Sequence, residues 1–445
     1  MAQPPAALND GFTLLVPNAW LLVILWSIPA AGAVAVFLVR RAVAIRWIAT
    51  ATALVALFTS LFIVVPFEWR RSSVFDFTRA DTAQMVRRIQ LPGGLGGEVA
   101  LDGLSFPMVI LTALLFTCAV VVSSKMTSRP VRYFALILLL EWALLGSFIA
   151  RDLPWICGFL AVTALLAALL LGGWSGQGGW PAAGQLTVHL LSAVACLAAV
   201  GTDGEKNSAM FLLAAGVFLV WLAVPPLHTW LVEALRGSPV PVAMLIGGLL
   251  PAVGGYGLFR IAIGRFQAAS ASMNGFLATV GLCAVLYGGL CALAQEHPRR
   301  LIVFTTIGIL GYVVLAAAIG TPIAVQGAVF VIVAQGLIGS AQLLVETPPD
   351  QQATGNPATG EDSAKSMAAS GGAWLAWIIL PGFVGPMLVV VGVFQSIQPI
   401  GPREAWQGYL VAAVACVGLV SLSAAGIRMI RRIMLNQGLA ASSAA

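Results

Sequence analysis

The sequence predicts an all-α, polytopic membrane protein with about thirteen transmembrane helices. Three observations carry this. Of 445 residues, 60% are hydrophobic and 9% charged, with a mean hydropathy of +0.96, which is incompatible with a water-soluble globule. Apolar runs of about 20 residues, each enough to cross hydrocarbon about 30 Å thick, recur along the chain. Finally, two of these runs are interrupted near their middles by Pro-Pro and Pro-Gly pairs, a pattern of membrane helices that line a site.

In chain order, the runs fall near 18–39, 47–67 and 103–124, then 132–150, 153–173, 185–202, 208–236 and 240–263, then 272–294, 301–319, 322–345, 372–397 and 406–428. Most connections are a few residues long, so sequential helices pack as antiparallel neighbours. Residues 1–131 therefore hold helices one to three. The stretch 68–101, ending in LPGGLGG, reads as a short external elaboration within them. Residues 132–265 form one five-helix unit, and 266–346 with 372–432 form a second. Each unit is interrupted in its fourth helix. Because five is odd, consecutive copies must be inverted relative to each other, as in many transporters. Residues 347–371, TPPDQQATGNPATGEDSAKSMAASG, read as a polar cytoplasmic linker, and 433–445 as a C-terminal tail.

The net charge of +6 is a topological signal. The basic residues are scattered over loops and form no patch for nucleic acid. Arg40, Arg41, Arg46, Lys125, Arg129, Arg132, Arg236, Arg299, Arg300, Lys365, Arg428, Arg431 and Arg432 fall on one side. Arg151, Lys206, Arg260, Arg265 and Arg403 fall on the other, with the charge-balanced segment 68–101 discounted. The bias puts the C-terminus in the cytoplasm and the N-terminus outside. The first residues, MAQPPAALNDGFTLLVPNAW, lack the basic region and small-residue cleavage site of a secretory signal.

Soluble-enzyme chemistry finds no support. There is no GxGxxG after a strand, no phosphate loop and no metal-ligand spacing of His or Cys. The six cysteines lie in apolar stretches without CxxC spacing and read as buried thiols, so no cofactor is expected in this chain.

The first interruption is the focus. In VPPLHTWLVEALRGSPVPV a helix meets Pro225 and Pro226, loses its hydrogen bonds, and resumes as an amphipathic piece carrying His228, Glu233 and Arg236. Carbonyls released in hydrocarbon are tolerated only where protein or a water-filled cavity receives them. His228 suits either a proton relay or local backbone pairing. Glu233 and Arg236, three residues apart, suit an ion pair at the cytoplasmic end, with a place in a proton path as the alternative. Glu141, in the middle of LLLEWALLG, is either functional or a hydrogen-bonded structural acid, since an ionised carboxylate at that depth is costly. His189 reads as structural, and Arg260 as a charge anchoring a helix C-terminus. Tryptophans such as Trp20, Trp142, Trp155 and Trp174 read as interface anchors. The second interruption is Pro381-Gly382, followed by Gly385-Pro386.

PPLHTWLVEALRGSPVPV and GGYGLFR resemble the signature of the antiporter-like membrane subunits of respiratory complex I, the M subunit of bacterial NADH:quinone oxidoreductase in particular. LDGLSFPMVILTALL, QEHPRRLIVFTTIGILGYVV, QGAVFVIVAQGL and LPGFVGPM are similar, in the same order, to further motifs of that family. The resemblance implies the inverted-repeat fold and a mid-membrane charged axis that passes protons. It also departs from the pattern. The axis positions of helices five, seven, eight and twelve hold Ala161, Trp221, Ala252 and Pro386, and the histidine positions of helices ten and eleven hold Ile309 and Gln335. The chain has three lysines, Lys125, Lys206 and Lys365, all in predicted loops.

The resemblance therefore implies a membrane-arm subunit of a proton-translocating NADH:quinone oxidoreductase that is degenerate as a pump, with Glu141, His228 and Glu233 as the remaining proton-pathway candidates. Its expected partners are the lipid bilayer of the bacterial plasma (inner) membrane and other membrane-arm subunits. NADH and iron–sulfur subunits are reached only indirectly. The alternatives are a subunit of a multisubunit cation/proton antiporter or membrane-bound hydrogenase, and a non-pumping scaffold.

Overall fold

The computed structural model describes residues 18–67, 84–89, 96–123, 128–176, 178–200, 207–345, 372–373, 375–376, 380–397 and 406–444. The linker 347–371 and all three lysines lie outside the described residues.

The helices are α1 (Asn18–Leu38), α2 (Ala42–Phe62), α3 (Ser105–Val122), α4 (Pro130–Ile149), α5 (Leu153–Trp174), α6 (Gly179–Ala198), α7 (Ser208–Trp221), α8 (Thr229–Arg236), α9 (Val240–Gly257), α10 (Gln267–Ser272), α11 (Asn274–Ala294), α12 (Pro298–Ile319), α13 (Pro322–Val345), α14 (Gly385–Ile397) and α15 (Trp406–Ala444). Among the described residues, eleven helices are long and apolar enough to cross a membrane. Two shorter apolar helices, Ser208–Trp221 and Gly382–Ile397, occupy the interrupted spans. The eleven spans and two shorter helices fall on the thirteen apolar runs, the run 372–397 only over its described part.

Several details differ from the sequence expectation. Helix α2 begins at Ala42, five residues earlier than the apolar run, because nothing between Ala42 and Trp47 breaks a helix and a long Arg46 side chain is tolerated in its first turn. Helix α6 starts at Gly179, with Pro181 in the first turn, where a missing N–H costs nothing. The C-terminal tail 433–445 is helical as far as Ala444, since α15 runs on through residues without a proline.

Within 68–101 the described residues form an antiparallel hairpin, β1 (Gln84–Ile89) with β2 (Gly97–Leu101), which pairs Arg88 with Glu98 and Arg87 with Val99. Val99 also bridges to Ala150 at the end of α4, and the Arg87 guanidinium lies 4.1 Å over the Trp20 ring. The hairpin therefore closes one end of the bundle.

Helices α9 with its continuation and α12 form the centre: 94% of the apolar window of Val240–Ile263 and 89% of that of Pro298–Ile319 are buried, against 22% for Ala42–Phe62. In lipid, helix association rests on close packing and small residues more than on a hydrophobic drive. Glycines supply that approach. A Cβ on Gly288 of α11 would come within 2.3 Å of the Gly308 nitrogen of α12, and one on Gly336 of α13 within 3.1 Å of the Gly248 carbonyl of α9.

Two five-helix blocks follow in chain order: α4, α5, α6, α7 with α8, and α9; then α11, α12, α13, α14 and α15. The two interruptions differ in kind. The first is a true break, whereas at Pro381 and Gly382 the chain makes a π-helical turn, Leu380–Val384, that runs directly into α14. A one-residue widening suffices there to accommodate the proline without an i→i−4 bond.

The thiols also depart from expectation. None is in a disulfide, but of the six only Cys157 is buried, while Cys196, Cys283 and Cys416 lie on the outer surface of the bundle. An apolar stretch in a membrane can face lipid as readily as protein. The tryptophans pack inward more than the anchor reading predicts: Trp142 stacks on Trp26 at 5.6 Å, and Phe159 sits edge-on to both. Trp174 fits the anchor role, donating to the Ser128 carbonyl at 3.1 Å.

Candidate functional site

The break between α7 and α8 is built from its own backbone. Leu222 and Ala223 close the last turn of α7 by donating to the Phe218 and Val220 carbonyls, and Val224 donates to Leu219. Ala223 takes a φ of 53°, turning the chain out of the helix ahead of Pro225 and Pro226. The Val220 carbonyl, near the end of α7, also accepts from the Trp230 indole at 2.8 Å. Trp230 and Trp221 are both fully buried, so an aromatic pair and not solvent covers this backbone.

The GGYG of α9 is what brings that helix against the break. A Cβ on Gly254 would lie 2.5 Å from the Leu222 nitrogen and 2.8 Å from the Trp221 carbonyl carbon, and one on Gly257 would enter the Phe218 ring. Between them, Tyr256 donates to the Phe148 carbonyl of α4 at 2.9 Å. Two glycines and a tyrosine thus clamp α9 to α7 on one face and α4 on another.

The three proton-pathway candidates are not joined to one another by any hydrogen bond or ion pair among the described residues. Glu141 is fully buried in α4, and neither carboxyl oxygen has a protein partner. The reading of Glu141 as a hydrogen-bonded structural acid therefore finds no protein partner among the described residues. His228 stands at the N-terminus of α8, with Nε2 3.1 Å from the Tyr287 hydroxyl of α11 and Nδ1 buried without a partner. Its ring is 5.1 Å from that of Tyr287 and 6.4 Å from Phe304. The neighbouring Thr229 hydroxyl lies 3.5 Å from Nε2 of His189, whose Nδ1 bonds the Gln185 carbonyl of its own helix. Glu233 pairs with Arg236 at 3.6 Å, as the spacing of three predicts, and both side chains are largely exposed. Together with Ser175 and Ser238 they line a cavity of about 500 Å³ at the end of α8.

The positions that carry charge in the resembled family are apolar here and packed. Trp221 is fully buried with its indole nitrogen unpartnered, Ala252 and Pro386 are buried, and Ala161 is half-buried. Ile309 is fully buried, and Gln335 donates to the Thr306 hydroxyl at 2.8 Å, a neutral bond between α13 and α12. No group of three or more His, Cys, Asp or Glu among the described residues could hold a metal ion.

One charged pair was missed from the sequence. Arg260, read as a helix-end anchor, instead lies 2.6 Å from Asp102, with both side chains nearly buried. Asp102 also accepts from the Leu104 and Ser105 amides at the start of α3, while the Ser105 hydroxyl accepts from the Asp102 amide. Arg260 sits in a π-helical continuation of α9, Leu258–Ile263, which turns it back into the protein. Alongside, Arg151 approaches Glu98 at 3.5 Å and Asp152 accepts from the Glu98 amide, fastening the hairpin to the bundle. The available signal was that LDGLSF opens one helix with an acid and GGYGLFR closes another with a base.

A bundle of membrane-crossing helices with a tryptophan-sealed break in one helix and a π turn in its counterpart defines an antiporter-like membrane protein. Comparison with known proteins agrees. The family described as "NADH:quinone oxidoreductase/Mrp antiporter, TM" matches residues 180–347. The chain is 30% identical over 370 residues to NAD(P)H-quinone oxidoreductase chain 4 1 of Synechococcus sp. (strain JA-3-3Ab), covering 76% of this chain and 69% of that protein. It is also 30% identical over 390 residues to the chain 4 1 protein of Synechococcus elongatus, covering 81% and 72%. The chain belongs to the family of NAD(P)H-quinone oxidoreductase chain 4 proteins. In fold it matches a chain of respiratory complex I from Thermus thermophilus, with a TM-score of 0.73 over 93% of this chain and 88% of that one at 21% identity. A chain of the Mrp complex from Dietzia sp. DQ12-45-1b matches with a TM-score of 0.69 over 91% and 79%, at 18% identity.

Proposed function

We propose that this chain is an M-type membrane-arm subunit of a proton-translocating NADH:quinone oxidoreductase, and that it keeps the antiporter-like scaffold while conducting few or no protons itself. It sits in the bacterial plasma membrane with its N-terminus outside and its C-terminus in the cytoplasm, and it binds no cofactor. NADH, flavin and iron–sulfur clusters belong to other subunits, reached through the membrane arm.

The observation that carries the degenerate reading is Trp221. A fully buried indole occupies the position where the family motif places a lysine, beside the break. Moving protons across about 30 Å of hydrocarbon requires groups that change charge at depth, or water ordered by them. Trp221, Ala252, Pro386 and Ala161 supply none. Among the described residues, Glu141 is unpartnered on α4, and no hydrogen bond joins it to the His228–Tyr287 pair.

The matching family description names Mrp antiporters together with the oxidoreductases, so a cation/proton antiporter complex is the second reading. Gentle purification through a tag on this chain, followed by mass spectrometry, separates the two. The proposal predicts co-purifying NADH-oxidising and iron–sulfur subunits, and loss of the assembled membrane arm when the chain is deleted. Antiporter or hydrogenase subunits alone would overturn it.

A further inference from the structure

A cavity of about 470 Å³ opens between α8 and the start of α12, at the same end of the bundle as the Glu233–Arg236 pair. Its rim carries three guanidinium groups, Arg236 from the last turn of α8 and Arg299 and Arg300 from the opening of α12, with the His297 ring beside them. Its remaining wall is apolar, with Val232, Leu235 and Val303. Arg299 is already ordered, donating through Nη1 to the Ser238 carbonyl at 3.0 Å and more distantly to that of Leu235. This bond caps the C-terminal end of α8 and holds the guanidinium at the cavity without further loss of side-chain freedom. His297 makes no side-chain capping hydrogen bond at the N-terminus of α12, and the positive end of that helix dipole adds to the same field. Two carboxylates stand near: Glu233, which pairs with Arg236 and lines the neighbouring cavity, and Glu296, which precedes His297.

We propose that this cavity binds the phosphate headgroup of an anionic phospholipid. Guanidinium groups match phosphate oxygens in a fork that ammonium groups do not reproduce. The mixed lining of the cavity, arginines beside Val232, Leu235 and Val303, selects a lipid over free phosphate. The span of α12 begins at Pro298, so the arginines lie at the edge of hydrocarbon, and the apolar wall continues from them toward the membrane interior. A headgroup with its glycerol and first methylenes satisfies both surfaces, whereas an inorganic anion would leave the apolar wall exposed. Basic recesses between transmembrane helices at a membrane face are an established form of anionic lipid site. The site ties α8 to α12, and so the break to the second five-helix block, whether or not the chain conducts protons.

The test uses the full chain, purified within its complex and placed in nanodiscs containing diazirine-labelled phosphatidylglycerol or the matching labelled phosphatidylcholine. After illumination, cross-linked peptides are mapped by mass spectrometry. Phosphatidylglycerol should label the peptides holding 232–236 and 297–303, and phosphatidylcholine should not. Arg236→Ala with Arg300→Ala should cut that labelling by about tenfold or more, taking each arginine near the surface as about 1 kcal/mol. Arg236→Lys with Arg300→Lys should fall between the native chain and the alanine variant, since the charge stays while the fork is lost, and this second variant separates loss of charge from loss of fold. Equal labelling by both lipids, or labelling unchanged in the alanine variant, would overturn the proposal. So would its abolition by excess inorganic phosphate, which would make the occupant a soluble anion.

Discussion

At the residue scale, the ion pairs of the described residues stand at helix ends and not in mid-helix. The Asp102–Arg260 pair is the most buried ion pair among the described residues. Removing either partner leaves an uncompensated charge in a dry site. Arg260→Ala or Asp102→Ala should each lower stability by about 3–5 kcal/mol, whereas Asp102→Leu with Arg260→Met should cost less than either single change. Thermal unfolding of the purified variants in detergent checks this, and a double variant worse than both singles would contradict it. The Trp230 indole bond works on a smaller scale. Trp230→Phe leaves the Val220 carbonyl with one acceptor bond fewer in a buried site and should cost about 1–3 kcal/mol. Neither interaction was legible in the sequence, because both depend on where distant or turned backbone brings a side chain. Arg260 stood at the end of an apolar run, where an anchor is the default. Only the π turn that carries it reveals that it faces inward. By contrast, the Glu233–Arg236 pair lies within one helix, and its spacing of three residues was enough to read it.

At the element scale, the break at Pro225 and Pro226 was legible because proline chemistry is local: no N–H, no helix interior. What seals the break was not. Gly254 of α9 stands within van der Waals reach of the Leu222 amide and the Trp221 carbonyl carbon, both backbone atoms that cannot rotate away. Gly254→Ala should therefore force α9 off α7 and cost about 1–3 kcal/mol or more. Gly257→Ala meets only the Phe218 ring, and a second change, Phe218→Leu, should recover a good part of the loss. Measuring the temperature at which the assembled complex dissociates distinguishes the two. Full rescue of Gly254→Ala by trimming a side chain would contradict this account of the clamp. The hairpin Gln84–Ile89 with Gly97–Leu101 escaped the sequence reading for the opposite reason. QMVRRI and GEVAL are short, lack a clean apolar alternation, and are held by Val99–Ala150 and Glu98–Arg151 contacts that appear only once α4 and α5 are packed. The second interruption at Pro381 was visible in sequence, but its form, a π turn continuous with α14, was not, since proline marks a lost bond without saying how the helix absorbs it.

At the scale of the whole molecule, length and apolarity located the spans, because hydrocarbon thickness is the same constraint for every helix; among the described residues eleven meet that length and the two interrupted ones are shorter. Motif order pointed to the family to which the chain belongs. The function of the individual copy rests on positions where chemistry has been replaced: a buried indole at Trp221, alanine at Ala161 and Ala252, and proline at Pro386 within an otherwise retained scaffold. Glu141 is the only residue of the three proton-pathway candidates that is fully buried, and thus the one through which a surviving path would have to be argued. The direct measurement is the number of protons translocated per NADH oxidised by the purified complex in proteoliposomes, compared between the native chain and Glu141→Gln. An isosteric amide keeps the shape of the site and removes its titration. The account predicts the same stoichiometry for both. Loss of a proton per NADH in the variant, with electron transfer intact, would show that this subunit pumps and would contradict the account.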